Sequence, residues 1–169
     1  MRIIFAGLAF WNTIFLLYTV YLGHTHAHMT QTSGAWWSDH FSVALITSIL
    51  TCLTHSVVYI HFLGTSKGIK EAVDAFSLPN DPETGFERRA KRYKARMRPL
   101  AMFAPMLIIV TAWLGAAYDT HRIAWWWHAT FAYFSLMFNL MAFAMEYRVI
   151  AENTAMIREI NKLIVAKKQ

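Results

Sequence analysis

Four long apolar runs leave this chain few ways to fold. They cover residues 3–22, 41–63, 100–117 and 125–147. Each reaches or nears the ~20 residues that a helix needs to cross a ~30 Å hydrocarbon layer. A water-soluble chain of 169 residues, 56% of them hydrophobic, would have to bury nearly all of this surface. A bilayer accommodates it directly, provided each segment satisfies its own backbone as a helix. The expected fold is therefore an all-α integral membrane protein. Four transmembrane helices form a bundle, with a cytoplasmic helical linker at 64–99 and a cytoplasmic helical tail at 148–169. One membrane domain spans residues 1–169.

The charges give the bundle a direction. Fifteen of the sixteen Lys and Arg residues lie at the two chain ends or in the linker between the second and third runs. The 23–40 loop carries none, and the 118–124 turn only Arg122. By the positive-inside rule the linker, the tail and both termini are expected in the cytoplasm, as for a bacterial inner-membrane protein. Trp36, Trp37 and Trp125 to Trp127 fall at the opposite boundary, where an aromatic belt belongs. A net charge of +6 could suggest nucleic acid. Basic residues beside apolar spans are instead topology signals and contacts for anionic lipid, so no nucleic-acid partner is expected. The expected partners are the bilayer, other membrane subunits or further copies of the chain.

Cys52, the single cysteine, lies inside the second run, which excludes an intrachain disulfide and a cysteine-based zinc site. The first run is longer than a signal-peptide core and no small-x-small cleavage site follows it, so it is read as a retained helix. Gly23 and Gly64 mark the expected ends of the first two spans. In the linker, 66–76 reads as a short amphipathic helix with Ile69, Val73 and Phe76 on one side. Leu78 to Gly85 reads as a turn and Phe86–Arg98 as a basic helix leading into the third span. The tail carries Ile150, Asn153, Ile157, Ile160 and Ile164 at 3–4 spacing, a helical seam for the linker helices or for a partner.

Polar residues inside the runs need a reason, because burial in hydrocarbon is costly. Ser48, Thr51, Cys52, His55 and Tyr59 share a face of the second span. His128, Ser135, Asn139 and Glu146 share one on the fourth, and Asn12 adds a polar group on the first. Counting ~1.5 Å of rise per residue puts His55 level with Asn139. Glu146 falls level with His61 at the cytoplasmic edge. His55 is a candidate ligand for a b-type haem, near Asn139 and with Met137, Met141 or a histidine of another subunit as second ligand. The bland alternative is a buried histidine bonded to Asn139 or a threonine, acting as helix glue.

Six of the eight histidines lie on the side away from the basic residues. His24, His26, His28, Asp39 and His40 sit in one outer segment, Asp119, His121 and His128 in or beside the other. An extended H-x-H-x-H would place its imidazoles on one side, and with carboxylates this donor set suits Zn or Cu. The paired H-x-x-H-H patterns of membrane desaturases are missing. So are a phosphate-binding glycine loop, a nucleophile elbow and a Ser–His–Asp pattern. No catalytic residue is assigned. The leading expectation is a small membrane subunit of a larger redox or bioenergetic complex, binding haem or metal through histidine. The competing ones are a structural accessory subunit or homo-oligomer, and a small transporter or proton path through His128, Asn139 and Glu146.

Overall fold

The computed structural model describes residues 1–27, 35–82 and 85–169, with the side chains of 26, 27 and 35–38 outside that description. Four helices follow in order: α1 (Arg2–Ala27), α2 (Ala35–Phe76), α3 (Phe86–Asp119) and α4 (Trp125–Lys167). Among the described residues there is no strand. All four helices are long and apolar enough to cross a membrane. α2, α3 and α4 also continue beyond the apolar length at the lysine- and arginine-rich side, called here the basic end. The opposite, histidine end holds the turns between α1 and α2 and between α3 and α4.

Each helix packs on its sequence neighbours, and α4 closes the ring on α1. α2 and α4 therefore face each other across the bundle axis, while α1 and α3 do not touch. Large apolar side chains cover the outside: Ile3 is 88% exposed, Trp113 69% and Ile60 64%. Apolar surface belongs outside when the solvent is lipid.

The inside follows a heptad. Along α4 the buried positions alternate by four and three: Ser135, Asn139, Ala142, Glu146, Val149, Asn153, Met156 and Ile160. Such a repeat keeps one seam facing its neighbours along the whole helix. Three successive residues of one register, Asn139, Glu146 and Asn153, are polar. An apolar core is built around Phe5, Leu16, Val58, Phe62, Met97, Leu136, Phe143 and Ile150.

At the basic end a second core joins Ile69 and Val73 of α2, Phe86 and Ala90 of α3, and Met156 and Ile160 of α4. Ile157 and Ile164 pack against it. The tail seam is thus met by the linker of the same chain. The expected break at Gly64 is absent, and α2 runs on through Gly64 and Gly68 to Phe76. Glycine costs a helix only about 1 kcal/mol relative to alanine. Burial of Ile69 and Val73 outweighs that. α1 likewise continues past Gly23, and α3 passes through Pro99 and Pro105 unbroken.

Contacts at the basic end tie the extensions together. Ser77 takes a left-handed φ of 44°, and the Leu78 amide donates to Val73 O at 3.1 Å. This Schellman-type stop tucks Leu78 into the second core. Lys167 Nζ donates to Phe76 O at 2.9 Å and Ser77 O at 2.8 Å, so the last turn of α4 caps α2. Gly85, before α3, is required by space: a Cβ there would stand 2.5 Å from Asp81 O. Arg89–Glu159 at 2.8 Å and Arg96–Glu152 at 3.0 Å link α3 to α4.

Candidate functional site

Two histidine sites lie between α2 and α4, one deep and one at the histidine end.

The deep site is built on His55, whose side chain is fully buried. Asn139 and Glu146 are one heptad apart on α4, about 10 Å along the axis. The imidazole fills that interval. Its Nε2 lies 3.1 Å from Asn139 Oδ1 and its Nδ1 2.8 Å from Glu146 Oε1. Phe143, between the two in sequence, stacks on the ring at 5.2 Å with an interplanar angle of 14°. Asn139 Nδ2 donates to Ser135 O at 2.8 Å, which turns Oδ1 toward His55. Nε2 must then carry a hydrogen, because Oδ1 can only accept. Glu146 is also fully buried, and its second oxygen, Oε2, has no partner among the described residues.

The matched depth of His55 and Asn139 agrees with the count along the spans. Glu146 differs from expectation: it reaches His55 rather than His61. Rise along a helix measures depth and says nothing of azimuth. Six residues carry His61 about 240° around α2 from His55, off the seam. The expected shared face of Ser48, Thr51, Cys52, His55 and Tyr59 is also divided. Thr51 is buried with His55, while Ser48, Cys52 and Tyr59 are half-buried. Thr51 turns to α1, donating to Asn12 Oδ1 at 3.0 Å. Asn12 in turn donates to Thr54 Oγ1 at 3.4 Å. These three satisfy one another and close the α1–α2 contact with polar glue.

A haem at His55 does not fit this arrangement. Both ring nitrogens are engaged by protein. Met137 and Met141 stand on the outer surface of α4, 65% and 47% exposed, and turn away from His55. Asn139 is present, as a partner of the imidazole.

At the histidine end, His40 of α2 and His128 of α4 meet across the axis. Their ring centroids are 6.4 Å apart with planes at 85°. His128 Nδ1 lies 3.0 Å from Thr111 O of α3. A carbonyl only accepts, so Nδ1 carries the hydrogen and Nε2 presents its lone pair. Each ring rests on a glycine of the adjacent helix. A Cβ on Gly23 would stand 3.1 Å from His40 Cε1, and one on Gly115 3.1 Å from His128 Cε1. The glycines let two imidazoles enter a crowded cross-section.

The other outer residues are scattered. His24 Nδ1 is 3.2 Å from the Tyr133 hydroxyl. α1 is helical through Ala27, so His24 and His26 are not extended as expected. The side chain of His26 and all of His28 lie outside the described residues. Asp39, Asp119 and His121 are exposed, His121 with a φ of 56° in the α3–α4 turn. Among the described residues no three of His, Cys, Asp and Glu group closely enough to hold a metal ion.

Sequence reasoning missed Phe143, the Thr111 carbonyl and the two glycines. Phe143 had a signal, its place midway between Asn139 and Glu146. The role of Gly115 depends on which helix lies beside it, which no local pattern reveals. Compared with protein-family models, with curated proteins and with solved structures, the chain matches none of them.

Proposed function

We propose that this chain is a membrane redox subunit of a larger bioenergetic assembly, carrying a b-type haem between His40 and His128. The observation that carries the reading is the disposition of those two rings. The two imidazoles come from facing helices and their ring centres stand 6.4 Å apart. Two imidazoles on opposite sides of one iron are a standard way for helices to hold haem in a bundle. The hydrogen bond to Thr111 O supports it too, since ligating histidines usually donate their other N–H to protein. Gly23 of α1 and Gly115 of α3 leave room for the two rings.

Bound there, a haem supplies one-electron exchange with a donor and an acceptor from partner subunits. The chain's own residues hold the imidazoles, set their tautomers and keep bulk water away. The positive-inside rule places the basic end in the cytoplasm of a bacterial cell and this site near the opposite membrane surface.

Purified full-length chain in mild detergent tests the proposal through its reduced-minus-oxidised spectrum. The expected result is a Soret band with sharp reduced bands, lost in His40→Ala and in His128→Ala. Wild-type protein without haem absorption, taken from cells with ample haem, overturns it. Copper or zinc in stoichiometric amount without a Soret band would replace haem by a bare ion at these histidines. The second reading is a non-catalytic accessory subunit, favoured by the self-satisfied Asn12–Thr51–Thr54 cluster. It gains if neither haem nor metal accompanies the protein.

A further inference from the structure

We propose that His55 and Glu146 form a one-proton store in the membrane interior, exchanging with water that reaches Glu146 Oε2. The argument begins with hydrogen count. Asn139 fixes a hydrogen on Nε2, because its Oδ1 accepts at 3.1 Å while its Nδ2 is spent on Ser135 O. The 2.8 Å contact between Nδ1 and Glu146 Oε1 then holds one further proton. It belongs either to the carboxyl, as O–H donating to the Nδ1 lone pair, or to the ring, as N–H donating to carboxylate. In both forms the pair is neutral overall. Without that proton, a carboxylate would face a lone pair in a site of zero exposure. A neutral pair is the cheap state in a low-dielectric interior, and an added negative charge the expensive one.

The open position of the store is Glu146 Oε2, buried and unpartnered. Such an atom in a native interior calls for an explanation, of which water is the commonest. Buried polar groups lie on both sides of it. Toward the histidine end, Asn12, Thr51 and Thr54 bond one another, and Ser135 Oγ is buried without a partner among the described residues. Toward the basic end, Asn153 lies one heptad further on α4 and donates to Thr65 Oγ1 at 3.2 Å. His61, also on that side, has a buried Nε2 without a partner among the described residues. Exchange is with water that reaches Oε2. A hydronium gives its proton to the deprotonated pair, forming one O–H or N–H bond and leaving water. Release breaks that bond and protonates water.

The other titratable groups on the elements packed here are Cys52, Tyr59 and His61 on α2, Tyr93 on α3 and Tyr147 on α4. Arg2 of α1 donates to the Tyr147 hydroxyl at 3.0 Å. None of these lies in bonding contact with the pair. Asn139 is a positioning residue, acting through the tautomer it imposes.

Infrared difference spectroscopy of the full chain in detergent, stepped between about pH 5 and about pH 9, reads the carboxyl directly. The expected result is a deuterium-sensitive carboxyl band that changes with pH in wild type and is absent in Glu146→Gln. Asn139→Leu keeps both partners but frees the tautomer, so the midpoint should move by about one pH unit or more. Glu146 and His55 ring bands that both stay constant across the range overturn the store and leave a fixed latch. A titrating band that survives in Glu146→Gln also overturns it. If Glu146→Gln fails to fold, an unmoved midpoint in Asn139→Leu is decisive against the proposal. None of these readings depends on haem.

Discussion

His55 and His128 each reach across the same bundle axis, yet their ring nitrogens are engaged differently. His55 has both ring nitrogens bonded to side chains of α4 and is wholly buried. His128 spends Nδ1 on a backbone carbonyl, is half-buried, and has the His40 ring 6.4 Å away. A histidine whose nitrogens both serve protein partners stores charge or holds helices together. One with a backbone acceptor behind it and a second imidazole in front has the makings of a ligand. Residue type and burial do not separate the two cases. The partner of each nitrogen does.

The largest effect that could break this contrast is on haem. His40→Ala and His128→Ala should abolish the reduced-minus-oxidised signal, while His55→Ala should leave it standing. A signal lost in His55→Ala and kept in His128→Ala would reverse the assignment of the two sites. Stability should rank the other way. His55→Ala strands Glu146 in the interior, and breaking a buried pair from one side costs about 3–5 kcal/mol. His128→Ala loses one hydrogen bond to a backbone oxygen, about 1 kcal/mol. Unfolding of apoprotein in mixed detergent would compare them.

A smaller effect is expected at the glycines. Gly115→Ala sets a methyl 3.1 Å from His128 Cε1, so the ring must shift. Overpacking of this kind costs about 1–3 kcal/mol, and it should weaken haem retention before it unfolds the chain. Unchanged retention in Gly115→Ala and Gly23→Ala together would show that the rings have slack. The smallest effect lies at the basic end. Arg89→Ala removes the pair with Glu159, whose side chains are 30% and 51% exposed. A partly exposed pair contributes about 0.2–1 kcal/mol, and salt should erase the difference from wild type.

Much of this architecture was legible in the chain, because membranes impose long apolar runs. The four spans, the basic extension and the level pairing of His55 with Asn139 all follow from counting residues. What escaped depends on rotation and on neighbours. Glu146 looked level with His61, but the seam of α2 presents His55. Gly64 looked like a helix end, but Ile69 and Val73 find Met156 and Ile160 and hold the helix intact. His24 and His26 looked like an extended ligand pair, but α1 winds on through both.

That continuity has a mechanical side. α4 is a single helix of 43 residues, about 65 Å long, without a proline in it. A rod of that length turns small angles into large travel: a tilt of about 5° about one end sweeps the other by roughly 6 Å. His128 sits near one tip of this lever and Lys167, clasping the end of α2, at the other. α3 alone carries prolines, Pro99 and Pro105, where a bend could be absorbed. Movement of the imidazoles at one membrane face would therefore reach the basic face as displacement of a clasped helix end, with little lost to flexing on the way.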